Sequence, residues 1–279
     1  MKKIFLLTLV LLLLAGCREI TGTPAEINWT LVEEGAYTLS DGTQVDLWQD
    51  EFQSWRLYKL PDDGAELLLE NTPVWPEYVV VGQQIDFSSL SKTAQKDPAQ
   101  KEIMAYYEQR GLLYDIPTEL EKAYSVYLRC QESGKEFYSF QADQTISPCG
   151  ANNTVCYYST SVTTSYDVQR TSTLRLCEAF RRDTGEKIDT MDLFTISQEE
   201  AARWFADYYG QYDKDGLLNE EMRTAFRPEY VIFQSNILEI FFPMGSLPSQ
   251  EYTTGMGIEY AELDGILQEW AVPDPTESD

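Results

Sequence analysis

Two hydrophobic periods take turns along the chain, and the points where one gives way to the other divide it. Over residues 27–82, short alternating runs are broken by turn residues: Asp41-Gly42 interrupts YTLSDGTQVDLW, and Asp62-Asp63-Gly64 interrupts WRLYKLPDDGAELLLE. Such residues reach positive φ cheaply, while the flanking Tyr, Val, Leu and Trp suit a pleated surface, so a small β region of hairpins is predicted. The period then lengthens. Asp97 with Gln100 makes a capping-box pattern, Pro98 suits the first helical position and Gly111 the positive-φ cap, so Ile103, Tyr106, Tyr107 and Arg110 share one helix face. A second helix is predicted from about Pro117, with Leu120, Ala123, Tyr124, Tyr127 and Leu128 as its stripe.

Beyond Glu136 the alternation returns in three long runs, EFYSFQADQTI, TVCYYSTSVTTSYDV and TSTLRLCEAFRR, rich in Tyr, Val, Thr and Phe. Ser197 with Glu200 caps another helix whose apolar face holds Trp204, Phe205 and Tyr208; a shorter helix follows near Asn219. YVIFQSNILEIFFP reads as a hairpin turning at Ser235-Asn236, GMGIEYAEL as a last strand, and Ile266 to Trp270 as a short helical segment. Strands and helices come in groups instead of alternating strictly, which predicts an α+β fold: an antiparallel sheet with packed helices, preceded by the small N-terminal β region. The division expected is a leader over 1–16, a tether over 17–26, the β region over 27–82, the α+β domain over 83–272 and a disordered acidic tail over 273–279.

The first residues change the picture by setting an address. Lys2 and Lys3 precede an apolar run over 4–14, and Ala15-Gly16 leads into Cys17. This is the three-part pattern of a secretory signal, its apolar centre short for a bilayer span, and Leu14-Ala15-Gly16-Cys17 resembles a bacterial lipobox. The alternatives are an ordinary cleaved signal peptide and an uncleaved anchor. Lipidation of Cys17 and a place on the outer face of the bacterial cytoplasmic membrane are expected, with nothing else in the chain apolar enough to cross it. The formal net charge is −25, and two of the 21 basic residues lie in the leader. That balance excludes nucleic acid as a partner and favours cationic ones, while 43% apolar and 13% aromatic residues supply a folded core.

With Cys17 lipidated, Cys130, Cys149, Cys156 and Cys177 remain, and in an exported chain they are disulfide candidates whose pairing the sequence leaves open. The pairing expected is Cys149 with Cys156, across GANNTV, and Cys130 with Cys177. None of these spacings is that of a metal knuckle, so neither metal nor cofactor is expected. The chain has no histidine, which excludes Ser-His-Asp and Cys-His catalysis and imidazole-bound zinc. Asp183-Thr184-Gly185 spells the aspartic-protease motif, but that chemistry needs two such aspartates sharing a proton, and a polar turn fits one copy. Gln211 to Gly216 partly matches a calcium loop, with Asp213, Asp215 and Gly216 in place but Met222 where a bidentate glutamate belongs. Tyr106, Tyr107, Tyr157, Tyr158, Tyr208 and Tyr209 offer a glycan groove, or else a core on one side and a surface on the other. Carboxylate pairs for glycoside hydrolysis cannot be picked from 46 acids.

Three stretches together carry a resemblance: AYYEQRGLLYDIPTELEKAY, AFRRDTGEKIDTMDLF and FRPEYVIFQSNILEIFFPMGSLPSQEYTTGMGIEYAEL. Their order, with Phe180, Thr184, Gly185 and Ile188, then Asp192, Leu193 and Phe194, and finally Ile258, Tyr260 and Leu263, resembles the RsiV-type extracellular domain over about residues 87–267. The resemblance implies the sensor part of a membrane anti-sigma factor that binds lysozyme, or an accessory module of cell-wall polysaccharide deacetylases. The chain lacks the histidine a deacetylase metal site needs, and SPCGANNTVCYY stands where the family often has Gly-Gly-Ala-His. The expectation is therefore a non-catalytic surface lipoprotein binding a cationic protein such as lysozyme, or wall glycan. The alternatives are a carboxylate-dependent hydrolase of wall polymers and a structural lipoprotein in an envelope complex.

Overall fold

The computed structural model describes residues 28–32, 36–50, 55–61, 66–73, 97–210 and 216–275. The leader, Cys17, the tether, the turn at Asp62-Asp63-Gly64, the boundary at 82/83, the calcium-like residues 211–215 and the end of the tail lie outside them. The described elements are β1 (Trp29–Leu31), β2 (Tyr37–Thr38), β3 (Gln44–Asp50), β4 (Arg56–Lys59), β5 (Leu67–Pro73), α1 (Pro98–Arg110), α2 (Ile116–Ser133), β6 (Phe140–Ala151), β7 (Val155–Asp167), β8 (Arg170–Arg181), β9 (Lys187–Ile188), α3 (Gln198–Gly210), α4 (Leu217–Ala225), β10 (Val231–Phe233), β11 (Leu238–Phe242) and β12 (Thr254–Ile258). The fold is α+β.

Local chemistry makes the helices where the spacing predicts them. The Asp97 carboxylate accepts from Ala99 N at 2.9 Å, Pro98 opens α1, and Gly111 at φ 67° ends it with its N–H on Tyr107 O. Asp115 caps α2 through Thr118 N, and Gly134 closes it in the left-handed region. Ser197 and Glu200 form a reciprocal capping box on α3, with Glu200 Oε2 accepting from Ser197 N at 2.9 Å. The α2 stripe drifts from the predicted one. Ile116, Glu119, Leu120, Ala123, Val126 and Cys130 are buried, whereas Leu128 is 40% exposed.

In the larger sheet the strands run β1, β3, β4, β5, β6, β7, β8, β9, with β2 also on β3; β10, β11 and β12 form a second, antiparallel sheet. The larger sheet is mixed and not wholly antiparallel, because β5 and β6 pair in parallel, Leu69 opposite Phe140. Parallel neighbours cannot be joined by a tight turn, and the connection here carries α1 and α2. Hydrogen bonding therefore continues from the N-terminal strands into the long strands β6, β7 and β8 without a break.

Strand β7 is buried on both faces at its start, from Val155 to Thr160. On one face Tyr157, Cys177 and Ala179 meet the second sheet, α3 and α4; on the other Cys156, Tyr158 and Phe180 meet Ile103 and Tyr107 of α1. A third cluster seats α2 on β3–β6 through Leu120, Ala123, Leu69 and Phe140. Tyr157 stacks on Phe233 with ring centres 4.6 Å apart, and its hydroxyl donates to Ala271 O.

The GANNTV loop has a structural role that its composition alone does not show. Asn152 Oδ1 accepts from Thr154 N and Val155 N, while Nδ2 donates to Trp270 O at 2.8 Å and Val272 O at 2.7 Å. One buried amide thus ties the β6–β7 turn to the C-terminal segment. Asn152→Ala would strand several buried backbone groups, and we expect a loss of about 2 kcal/mol, measured by urea unfolding. A loss under about 0.5 kcal/mol would show that the C-terminal segment docks without it.

Candidate functional site

Where β8 outruns β9, the sheet edge opens into a cleft of about 1000 Å³ lined by Tyr106, Arg110, Glu178, Lys187, Asp189 and Arg227, among others. Among the described residues, strand β9 pairs only with Ala179 and Phe180. It leaves the sheet at Asp189, whose carboxylate accepts from Met191 N at 2.9 Å and starts a short 3-10 turn over Thr190–Leu193. That departure makes one wall of the cleft, and the 3-10 segment Pro228–Tyr230 contributes to another.

The floor is ionic. Arg110, in the last turn of α1, donates through one guanidinium nitrogen to Glu178 Oε1 and through another to Thr160 Oγ1 at 2.9 Å. Thr160 Oγ1 passes a hydrogen bond to Glu178 Oε2 at 3.2 Å, and Tyr107 Oη donates to the same oxygen at 3.1 Å. The guanidinium also lies 4.7 Å from the centre of the Tyr107 ring. Burial first, and then the Glu178 charge, hold the Tyr107 hydroxyl well above its ordinary range, so it remains a donor. The side chains of Arg110 and Glu178 are only 13% and 7% exposed, so little water screens the pair. Nearer the rim, Lys187 Nζ donates to Tyr106 Oη at 2.9 Å and sits 4.8 Å over that ring.

In chemical terms, both oxygens of the buried acid are occupied by donors of this chain. The remaining acids of the cleft, Asp189, Asp192 and Glu229, stand with Lys187 and Arg227 around its mouth. Among the described residues no group of three or more Cys, Asp or Glu is placed to hold a metal ion, and no helix is long and apolar enough to cross a membrane. A second hollow of about 490 Å³, more apolar, lies beyond Arg227 between α4 and Tyr230.

Asp183-Thr184-Gly185 forms the β8–β9 turn. Gly185, at φ 76°, donates to Arg181 O, Thr184 Oγ1 accepts from Glu186 N, and Asp183 points to solvent. Of the paired tyrosines, Tyr107, Tyr157 and Tyr158 are inside, the last two on opposite faces of β7 with both faces covered; Tyr208 and Tyr209 are half-buried on α3, and Tyr106 lines the cleft.

The expected cysteine pairing is not the one the fold offers. Cys156 lies on the α1 face of β7 with its Sγ toward Phe180 O at 3.6 Å, its thiol pushed up to about 12 by burial, while Cys149 packs on the opposite face. Cys130 is on α2 in the cluster with Phe137 and Phe140, a different core from that of Cys177. The nearest sulfurs are those of Cys149 and Cys177, 4.0 Å apart, and all four are free thiols in the structure.

The Arg110–Glu178 pair escaped sequence reasoning, although each partner leaves a trace. Arg110 falls on the apolar face of α1, and Glu178 interrupts the strand run LRLCEAF; a charge at a core position asks for a partner.

No family model matches the chain, and no curated protein matches it. Among solved structures, a DUF3298 family protein from Pseudomonas aeruginosa PAO1 aligns with a TM-score of 0.39 and 12% identity, over 88% of this chain and 97% of that one. A member of the same family from Bacteroides fragilis NCTC 9343 gives 0.41 and 12%, over 88% and 94%. Both of these solved structures are of DUF3298 family proteins.

Proposed function

We propose that the chain is a lipid-anchored protein of the bacterial envelope, exported through its leader and attached at Cys17, whose RsiV-type domain binds a cationic protein such as lysozyme and catalyses nothing. The observation that carries this reading is where the charge sits. The net charge is −25, and among the described residues only Asp50, Glu119 and Glu178 of the acids are buried. The other described carboxylates face solvent or lie near it, where their summed field steers a basic partner over about one Debye length, ~8 Å at physiological salt. Within the cleft the buried acid, Glu178, is committed to Arg110, Tyr107 and Thr160 as a structural ion pair.

Titration of the purified chain with lysozyme tests the proposal. We expect saturable binding whose affinity falls roughly tenfold or more between about 0.05 and 0.5 M salt. No binding at either salt would remove the lysozyme reading. A second reading, wall glycan, draws on the cleft itself, whose size and mixture of Tyr106, Lys187, Arg227 and Asp189 suit a polar oligosaccharide. Binding of soluble peptidoglycan fragments without lysozyme binding would favour it, and release of new fragments from peptidoglycan would return the hydrolase.

A further inference from the structure

The two nearest sulfurs sit on strands that flank the same neighbour. Cys149 belongs to β6 and Cys177 to β8, with β7 between them. Side chains on alternate strands of a sheet are normally too far apart to bond, since each step across costs about 4.8 Å. Here a bulge changes the geometry. The β6–β7 register shifts between Pro148, opposite Tyr158, and Gly150, opposite Tyr157, so Cys149 is the extra residue without a partner. A bulge bends the strand and re-aims the side chain it carries, and this one turns Cys149 toward the cluster that holds Cys177. Ser159, opposite both Ser147 on β6 and Cys177 on β8, is small, so the strand between presents little bulk there. The sulfurs end 4.0 Å apart, whereas Cys130 and Cys156 lie in two other clusters.

We infer that Cys149 and Cys177 form a disulfide across β7 in the exported protein, and that Cys130 and Cys156 remain thiols. The two thiols give up two protons and two electrons. A disulfide of a thioredoxin-fold oxidoreductase, or of oxidised glutathione, accepts them and becomes two thiols. Hydrogen bonding to Cys177, then burial, raises the Cys149 thiol well above its usual range, so thiolate is scarce once the core has closed and the bond forms during folding. The bond would brace the bulge, whose Cys149 O accepts from Ser235 N in the β10–β11 turn at 3.1 Å, and tie it to β8, where Cys177 and Glu178 line the cleft.

Trypsin separates the alternatives, because Cys130 falls in peptide 130–135, Cys149 and Cys156 together in 136–170, and Cys177 in 176–181. The full chain, exported and solubilised from membranes, is alkylated under denaturing, non-reducing conditions and digested. The expected result is 136–170 joined to 176–181, alkylated at Cys156, with 130–135 alkylated and the joined pair released by reductant. Reductant should also lower the unfolding temperature by roughly 5–10 °C, a shift that Cys177→Ser abolishes. A bond within 136–170, or 130–135 joined to 176–181, would overturn the assignment. A parallel sample, denatured, reduced and refolded in a glutathione redox buffer, keeps the geometry apart from the proposed location. The bond there but not in cells would count against export alone, and free Cys149 and Cys177 after refolding would overturn the pairing.

Discussion

Replacing Arg110 by methionine is expected to cost about 3–5 kcal/mol of folding stability, because it leaves the Glu178 carboxylate inside the protein without its cation. Glu178 would keep only the Tyr107 and Thr160 hydroxyls, at 3.1 and 3.2 Å, and Thr160 would lose the guanidinium that now donates to it. The penalty measures a stranded charge and not the worth of the pair, so Arg110→Met combined with Glu178→Leu should recover most of it. Urea unfolding of the two single variants and the double variant, at unchanged m, completes the cycle. A single-variant loss below about 1 kcal/mol would mean that water reaches the pair and that the cleft floor is not a fixed ionic lock.

Gly185→Ala is expected to destabilise the protein by about 2–4 kcal/mol, whereas Asp183→Asn in the same turn should stay within about 0.5 kcal/mol of the parent. Gly185 has φ 76°, and a Cβ there would stand 2.2 Å from Ala99 O and 2.9 Å from the Cβ of Glu102, where the first turn of α1 lies against the β8–β9 hairpin. The obstacle is backbone held by the Asp97 cap, so it cannot swing aside as a flexible side chain would. Gly42, at φ 91° with nothing near its missing Cβ, separates the two causes. Gly42→Ala carries only the conformational penalty of about 1–2 kcal/mol. Similar losses at both sites would show that the contact with α1 yields freely. Loss of ligand binding or of any activity in Asp183→Asn would reopen the catalytic reading of the Asp-Thr-Gly motif.

Much of the fold was legible because it rests on short-range chemistry. The caps at Asp97, Gly111 and Ser197 lie within four residues of the groups they satisfy, and the long runs that became β6, β7 and β8 show the composition of strands. The turn at Ser235-Asn236 is likewise local, with Gln234 N on Ile237 O closing the hairpin. Less could be read where an element's surroundings decide. Leu128 fits the α2 period yet stays exposed, because the stripe is set by what β5 and β6 present to it and runs on through Val126 to Cys130.

The candidate site was legible only in fragments. Arg110 and Tyr107 could be placed on one helix face and Glu178 in a strand, but residues 68 positions apart do not announce that they meet. The doubled tyrosines were ambiguous for a related reason. Alternation assigns Tyr157 and Tyr158 to opposite faces of a strand without saying whether each face will be covered, and in this molecule both are.

By itself the sequence determined where the four described helices lie and the caps of α1 and α3, the long strands, the acidic character, the absence of imidazole chemistry and the even set of cysteines beyond Cys17. Each of these is a property of residue type or of neighbours along the chain. Only the tertiary structure decided that β5 and β6 run parallel, that Glu178 is buried against Arg110, that Asp183 ends in solvent, and that Cys149 lies beside Cys177 and not Cys156. The physical reason is common to all four. A side-chain period states which residues share a face, whereas the partner of that face is chosen by packing between segments far apart in sequence, and one bulged residue in β6 was enough to redirect a sulfur.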